Sequence, residues 1–273
     1  MTESTAGDYV LGTHDAEVQR LGVQHRAWRP VVLECWKNAG VTSGSQVLDV
    51  GAGPGYATVD LAKIVGRSGR VVAVERSPNF VSATRRAVQE RSLSSVEVHE
   101  LDLMNDNLPT GPFDFVWCRW VLCFVSNPEL LVKKIANVLH QNGRAIFHEY
   151  AHYTTWRFFP QRDSLEEFRN HVVATWRESG GEPDTGLQLP MWLTRNGFVV
   201  RSVVPRIFCL QPSDYMWRWP SEFIQVHLLR LQQLGAIDSE FADRVRADLS
   251  AAEKEQPSFM LTPLVLEIVA EKV

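Results

Sequence analysis

Apolar residues recur along the 273-residue chain with two different spacings. Short apolar, β-branched runs predict buried strands, whereas apolar positions three or four residues apart over longer stretches predict amphipathic helices. The predicted strands are 46–50, 70–74, 96–101, 113–117 and 144–147, and the predicted helices are 15–39, 56–65, 78–91 and 127–140. We expect Pro30 to kink or divide the first helix. Strands that alternate with helices imply right-handed βαβ units, and hence a parallel sheet covered on both faces.

The C-terminal third of the chain adds two more predicted strands, residues 198–204 and 263–270, with a long stretch of helical spacing between them. Two stretches fall outside the strand and helix alternation, namely 151–189 and 212–256. Open α/β sheets bind ligands at the carboxyl ends of their strands. Because both stretches lie near that edge, we expect them to form a lid over a substrate.

The most informative segment is the turn that follows the first predicted strand. Val47 and Leu48 lead into Asp49, and glycines then occupy positions 51, 53 and 55 before a helical pattern begins. Glycines remove every Cβ from a tight strand-to-helix turn, so a ligand can lie against bare backbone at a helix N-terminus. The dinucleotide fingerprint G-x-G-x-x-G would place its third glycine at position 56, where this chain has Tyr56.

Acidic residues lie at the ends of the next two predicted strands. Glu75 follows the glycine turn by about twenty residues, and a carboxylate there can accept hydrogen bonds from both hydroxyls of a ribose. Dinucleotide enzymes also bind a ribose with an acid at this position. The alternative interpretation of Glu75 is a solvent-facing acid at a strand end. Asp102 follows the third strand, where an acid in a polar loop is the alternative interpretation.

The apolar strand, the acid and the three alternating glycines resemble the first motif of class I S-adenosylmethionine-dependent methyltransferases. The resemblance covers residues 45–150 and the two C-terminal strands. It implies an α/β fold with a Rossmann-like, doubly wound, seven-stranded and mostly parallel sheet, whose antiparallel last strand lies beside the fifth, plus helical lid insertions. It also implies S-adenosyl-L-methionine as cofactor and S-adenosyl-L-homocysteine as product. We expect no metal, because a Mg²⁺ site needs converging acids, whereas residues 105–107 lie in the wrong loop and are better interpreted as a turn.

The resemblance further implies roles for individual residues. Glu75 would bind the ribose, Asp102 the adenine amino group with Leu103 against the ring, and Arg119 would present its backbone carbonyl to the methionine amino group. An Arg119 side chain paired with a carboxylate is the alternative. The segment from Tyr9 to Gln24 is similar to a bacterial small-molecule subgroup in which these two residues approach the cofactor carboxylate, whereas a capping helix is the alternative. The expected cofactor-binding residues are Tyr9, Gln24, Asp49, Gly51, Ala52, Gly53, Gly55, Glu75, Arg76, Asp102, Leu103 and Arg119.

These patterns divide the chain into six parts. We expect an N-terminal helical cap (1–44), a cofactor-binding Rossmann-like core (45–150), a lid insertion (151–189), a helix with the sixth strand (190–211), a helical lid insertion (212–257) and the seventh strand (258–273).

Composition and charge narrow the partners and the location. The net charge of −4 gives no electrostatic footprint for nucleic acid or an anionic membrane. The cysteines lack C-x-x-C or zinc-site spacing, so we expect reduced core residues at Cys35, Cys118, Cys123 and Cys209. Residues 1–8 show no signal pattern, and no apolar stretch approaches the ~18 residues that a membrane span needs. We therefore expect a cytoplasmic protein, with its oligomeric state left open.

Methyl transfer requires a general base only if the acceptor arrives protonated. Protonatable side chains cluster at the exit of the fifth strand, and the candidates are His148, Glu149 and His152. A polar strand end that fixes the lid is an equally good interpretation. Tryptophans in the lid segments suit a planar or apolar acceptor, although packing of inserted helices is the more common cause. They are Trp156, Trp176, Trp217 and Trp219.

The leading hypothesis is a methyltransferase that acts on a small aromatic or apolar metabolite. The fourth strand is followed by no D/N-P-P-Y/F motif, which argues against amino groups of nucleic-acid bases as acceptors. A nicotinamide-dependent oxidoreductase is the second hypothesis, disfavoured by Tyr56 and by the C-terminal strand. A non-catalytic protein that binds S-adenosylmethionine is the third.

Overall fold

A seven-stranded sheet forms the centre of the computed structural model, which describes residues 12–273. Its strands, in chain order, are β1 (Gln46–Val50), β2 (Arg70–Glu75), β3 (Val96–Glu100), β4 (Phe113–Arg119), β5 (Leu139–His152), β7 (Phe198–Arg206) and β10 (Leu264–Lys272). Three short strands, β6 (Arg157–Phe159), β8 (Cys209–Leu210) and β9 (Phe259–Leu261), form a second sheet in the order β6-β9-β8.

The strand order of the large sheet is β3-β2-β1-β4-β5-β10-β7. Strands β1 to β5 pair in parallel, whereas β10 is antiparallel to both β5 and β7. The order reverses at β1, with β2 and β3 on one side and β4 on the other, and this reversal is the place where such sheets bind ligands. The predicted fold class is confirmed, including the insertion of the last strand beside the fifth.

Eight α-helices accompany the sheets within residues 12–273. They are α1 (Asp15–Ala39), α2 (Tyr56–Val65), α3 (Pro78–Glu90), α4 (Pro128–Val138), α5 (Asp163–Glu178), α6 (Leu189–Arg195), α7 (Arg218–Gln233) and α8 (Ser239–Lys254). Successive strand residues face opposite sides of a sheet. Accordingly Val47 packs with the side chains of α1 and α2, while Leu48 packs with those of α4 and α6. The sheet therefore has an apolar core on each face.

The N-terminal helix is held to the sheet by tryptophans. Trp28 and Trp36 are fully buried and meet Trp120 and Trp117 edge to face, with ring centroids 5.3 and 5.2 Å apart. These contacts lie on both sides of Pro30, and α1 is one continuous helix through it. The predicted division at Pro30 is wrong, because tertiary packing outweighs the loss of one backbone donor.

Three further features differ from the sequence analysis or add to it. Residues 212–256 contain two helices, because Gly235 takes a left-handed backbone conformation (φ +71°) and Asp238 caps the N-terminus of α8. Cys209 is exposed, unlike the other three cysteines. The second sheet escaped prediction because strands of two or three residues are too short to show periodicity.

The tryptophans of the lid segments are buried in the packing of the inserted helices. Trp156, Trp176, Trp217 and Trp219 are at most 3% exposed and belong to the same apolar core as α1. Within residues 12–273, no helix combines the length and the apolar character that crossing a bilayer requires.

The pairing of β10 with β7 gives a direct test of the C-terminal strand. Ile268 is fully buried and lies opposite Val203, which is 44% exposed. We expect Ile268→Ala to lower the free energy of unfolding by about 2–5 kcal/mol, because it leaves a cavity between β10 and the helices. The matched variant Val203→Ala should change it by less than about 1 kcal/mol. Urea denaturation measures both, and equal losses would contradict this placement of β10.

Candidate active site

A cavity of about 620 Å³ opens at the carboxyl ends of β1, β2 and β4, where the strand order reverses. A volume of this size suits a cofactor together with a small molecule. Ten of the residues expected at a cofactor site line it, namely Gln24, Asp49, Gly51, Ala52, Gly53, Glu75, Arg76, Asp102, Leu103 and Arg119. Gly55 does not line it, and Tyr9 lies outside the described residues.

The glycine turn after β1 serves packing as well as access. Gly51, Gly53 and Gly55 all have positive φ, at +65°, +56° and +81°. A Cβ on Gly51 would lie 2.4 Å from Val121, and one on Gly55 would lie 2.6 Å from Thr84. A Cβ on Gly53 would meet no atom within 4 Å. The outer two glycines therefore allow close packing of protein against the turn, whereas Gly53 presents bare backbone to the cavity.

The carboxylate of Glu75 joins the glycine turn to the end of β2. Its Oε2 accepts a hydrogen bond from the Gly53 N–H at 2.9 Å, and its Oε1 accepts from the N–H groups of Arg76 and Ser77, both at 2.9 Å. Burial raises the pKa of Glu75, and these three backbone donors oppose that rise. Glu75 therefore shapes the turn in addition to lining the cavity.

Asp102 organises the loop after β3. Its Oδ1 accepts hydrogen bonds from the N–H groups of Met104 and Asn105, at 2.7 and 3.1 Å. Lys134 on α4 donates to three carbonyls of the same loop, at 2.7–2.9 Å, from Leu103, Met104 and Asp106. Both hydrogen bonds to the Asp102 carboxylate from this loop use Oδ1, so Oδ2 can accept a hydrogen bond from a ligand.

Two opposite charges lie at the ends of the central strands. Asp49 is buried and accepts a hydrogen bond from Thr58 Oγ1 at 2.6 Å. Burial raises the pKa of Asp49 to about 6, and the charge of Arg119 opposes that rise. Burial also lowers the pKa of Arg119 to about 10, and Asp49 opposes that fall. The cavity thus holds a desolvated carboxylate close to a desolvated guanidinium.

Gln24 extends from α1 to the edge of this charged region. Its amide oxygen accepts hydrogen bonds from Arg20 Nη1 at 2.9 Å and from Trp219 Nε1 at 3.1 Å. Because both partners are donors, the orientation of the amide is fixed. Its NH₂ group remains as the part that can donate to a ligand.

Comparisons with known proteins agree with this geometry. Residues 48–147 match the model of a family described as a methyltransferase domain. This segment begins one residue before Asp49 and includes the glycine turn, Glu75, Asp102 and Arg119. Residues 48–147 therefore form a methyltransferase domain of the class I S-adenosylmethionine-dependent type.

Curated relatives resemble this chain over part of their length. It is 29% identical over 180 residues to an uncharacterized 37.1 kDa protein from a transposon of Streptomyces fradiae, covering 66% of this chain and 50% of that protein. It is 30% identical over 132 residues to the demethylmenaquinone methyltransferase of Staphylococcus saprophyticus, covering 48% and 54%. The chain thus spans about half the length of the curated relatives that it matches.

A solved structure shows the same fold over most of the chain. The geranyl diphosphate C-methyltransferase from Streptomyces coelicolor superposes with a TM-score of 0.58 at 14% sequence identity. The superposition covers 91% of this chain and 80% of the other. At this identity the likeness concerns the fold alone.

The structure places the three expected proton-transfer residues away from this cavity. His148 is fully buried, with Nε2 3.0 Å from Glu267 Oε2 on β10. Arg206 on β7 also donates to Glu267. His152 is exposed near Thr154. None of His148, Glu149 and His152 lines the described cavity, so their catalytic role stays a prediction without support from the geometry.

Glu149 instead fixes the loop that follows β4. It is fully buried, and its Oε1 accepts hydrogen bonds from the N–H groups of Val121 and Leu122, at 2.8 and 2.9 Å. Trp120, which precedes them, has a left-handed backbone conformation at φ +53°. A bulky residue adopts this conformation at a cost that surrounding contacts must offset. Glu149 supplies part of that compensation from the neighbouring strand.

This loop forms the less polar end of the cavity. Its lining residues there are Trp120, Val121, Phe124, Val125 and Ser126, and the segment after α5 adds Ser179 and Gly181. The Trp120 ring is itself stacked between Tyr150 and Trp219, with centroids 5.4 and 5.6 Å away. Trp120, which the sequence pattern did not single out, is thus a firmly packed aromatic residue of the cavity lining.

The burial of Glu149 predicts a pH-dependent stability. Burial raises its pKa from 4.5 to about 7, against the hydrogen bonds from the Leu122 and Val121 N–H groups. A pKa raised by folding stabilises the protein fully below about pH 4.5, and this contribution is lost as the pH rises through 7. In Glu149→Gln the amide oxygen still accepts from the loop, and no proton is bound.

We expect the wild-type protein to lose on the order of 2 kcal/mol relative to Glu149→Gln between pH 5 and pH 8. Urea denaturation of both proteins across this range measures the difference, and other titrating groups cancel in the comparison. Parallel stability curves would contradict the raised pKa.

Proposed function

We propose that this protein transfers the methyl group of S-adenosylmethionine to a small aromatic or apolar metabolite. The observation that carries the proposal is one cavity that brings together the glycine turn, Glu75, Asp102 and the Asp49–Arg119 pair at the topological switch point. The match of residues 48–147 to a methyltransferase domain supports the reaction class, and the apolar residues of the cavity lining support the substrate class.

The residues at the polar end fit an adenosyl amino acid. Gly53 leaves room at the turn, Glu75 can accept hydrogen bonds from ribose hydroxyls, and Asp102 has one carboxylate oxygen left for an amino group. Asp49 and Arg119 carry the charges opposite to those of an α-ammonium and an α-carboxylate. S-adenosylmethionine supplies a sulfonium-bound methyl group that leaves by in-line displacement.

The protein contributes position and exclusion of water. Trp120, Val121 and Phe124 are apolar residues of the cavity lining. They would hold an acceptor against the methyl group with few competing waters. Correct placement of two reactants accounts for much of the acceleration in reactions of this kind. The Glu149 anchor on this loop is a positioning contact for the acceptor.

The acceptor end offers little acid–base chemistry. Among the described lining residues, the side chains that could take up a proton are Asp49, Glu75 and Asp102 at the polar end, while Ser126 and Ser179 supply hydroxyls at the other. We infer an acceptor whose nucleophilic atom needs no strong base from this cavity, such as an ionised hydroquinone or an electron-rich carbon. The name of the relative, demethylmenaquinone methyltransferase, is in keeping with a quinone-like acceptor.

The other hypotheses have less support. An oxidoreductase would be expected to show the dinucleotide fingerprint, whereas this chain has Tyr56 where the third glycine of that fingerprint would lie. The Tyr56 hydroxyl donates a hydrogen bond to the Val18 carbonyl at 3.1 Å. A small-molecule partner, no nucleic-acid partner and a cytoplasmic location remain part of the proposal on the sequence arguments.

Glu75 gives the sharpest test of the cofactor site. We expect Glu75→Ala to weaken S-adenosylmethionine binding tenfold to a hundredfold, on the order of 1.5–3 kcal/mol, because it removes the charged acceptor. Glu100 provides a matched control, since it pairs in register with Glu75 on β3 and does not line the cavity. Glu100→Ala should bind with wild-type affinity in calorimetry. Equal affinity of all three proteins would remove Glu75 from the site.

Transfer itself is tested with S-adenosylmethionine that is radiolabelled in the methyl group. The full chain is incubated with a panel of hydroquinones, isoprenoids and small phenols, and label is sought in the organic phase. Transfer that is lost in Glu75→Ala supports the proposal. Tight binding of S-adenosylmethionine without transfer to any compound would favour the non-catalytic alternative.

A further inference from the structure

The guanidinium of Arg119 makes few hydrogen bonds to the rest of the protein. Within residues 12–273 it makes one hydrogen bond, from Nη2 to His25 Nδ1, at 3.1 Å. Nη1 is buried without a hydrogen-bond partner among these residues. The group lies over the rings of Trp120 and Trp117, 5.0 and 5.8 Å from their centroids, which stabilises a cation. Most of its donors therefore remain for another partner.

His25 can hold Arg119 in only one protonation state. A guanidinium has donors and no acceptor, so Nδ1 of His25 must accept, and the ring proton must be on Nε2. Nε2 lies 3.1 Å from Asp60 Oδ2, which accepts that proton's hydrogen bond. Burial lowers the pKa of His25, partly offset by the hydrogen bond to Asp60. The imidazole is therefore kept neutral and fixed as one tautomer.

Asp60 and Tyr56 both contact the imidazole ring of His25 and fix its orientation. Asp60 on α2 also accepts from Arg29 Nε at 2.6 Å, and Lys63 Nζ lies 3.7 Å from its other oxygen. Tyr56 stacks on the imidazole, with centroids 6.1 Å apart. Burial alone would raise the pKa of Asp60, but hydrogen bonds from His25 and Arg29 hold it well below its usual range. A charged, well-anchored acceptor thus sets the position of His25.

We propose that the Arg119 side chain binds the α-carboxylate of S-adenosylmethionine and that neutral His25 is the positioning residue that aims it. The proposal rests on the proposed function and adds a side-chain role to the backbone role expected for Arg119. Gln24, next to His25 on α1, has its amide NH₂ group left to donate to the same carboxylate. Asp49 is then the partner of the α-ammonium, so the cavity matches a zwitterion with one charge of each sign.

The experiment compares two ligands that differ in one group. Decarboxylated S-adenosylmethionine keeps the adenosine, the sulfonium and the amine, and lacks only the carboxylate. Calorimetry on the full chain gives the affinity of each ligand, and the ratio of the two affinities reports the carboxylate contact alone. We expect the wild-type protein to prefer S-adenosylmethionine roughly tenfold or more, as for a hydrogen bond between charged groups.

Three variants assign the contact to these side chains. Arg119→Gln should abolish the preference for the carboxylate. His25→Phe keeps a ring beside Tyr56 but offers no acceptor, so it should lower the preference severalfold. His25→Asn places an amide oxygen near Nδ1 and should restore most of it. Arg26→Gln, which removes an exposed cation next to His25 that does not line the cavity, should leave the ratio unchanged.

The outcomes separate this inference from the proposed function. Equal affinity of the wild-type protein for both ligands, or a wild-type ratio in Arg119→Gln, overturns the carboxylate contact and leaves the methyltransferase proposal intact. A wild-type ratio in His25→Phe overturns the positioning role. Should His25→Phe not fold by circular dichroism, failure of His25→Asn to retain the preference overturns that role instead. Absence of binding of either ligand overturns both proposals.

Discussion

The site depends on keeping charged groups in a cavity that removes them from water. Burial raises the pKa values of Asp49 and Glu75 and lowers that of Arg119, and each of these shifts is a free-energy cost of folding. Hydrogen bonds offset part of these costs. They come from Thr58 to Asp49 and from three backbone N–H groups to Glu75, while Arg119 donates to His25. A zwitterionic ligand with hydroxyl groups would supply the partners that remain unfilled.

This constraint explains why α1 belongs to the site although it lies outside the segment that matches the family. The helix contributes Gln24 to the cavity wall and His25 to Arg119, and it is fixed to α2 through Asp60. Its tryptophans pack against the residues at the end of β4. The same helix therefore closes an apolar core and positions a charged group, so its docking and the geometry of the charged end are coupled.

The sequence predicted the parts of the site whose signal is local. The glycine turn, Glu75 and Asp102 each follow directly from a strand that the apolar pattern marks, so their arrangement at one sheet edge follows from the topology. His25 and Asp60 could not be found in this way, because 35 residues separate them and the hydrogen bond exists only once α1 docks on α2. The partners of the strand-five cluster could not be predicted for a related reason. His148 contacts Glu267 and Glu149 contacts the loop after β4, and no local pattern shows which residues the two faces of the strand will meet.

The charged and the apolar residues of the cavity lining come from different parts of the fold. The charged end uses strand ends and α1, whose residues are fixed by hydrogen bonds between elements. The apolar part of the lining uses the loop 120–126 and residues 179–181. This loop is held by Glu149, by the His148 carbonyl and by the Glu182 N–H group. The two parts of the lining also touch: the Arg119 guanidinium lies 5.0 Å from the centroid of the Trp120 ring, and Val121 packs so close to Gly51 that a Cβ there would lie 2.4 Å away. A change in the loop can therefore reach the charged residues as well as the surface offered to an acceptor, because both are built on the same end of β4.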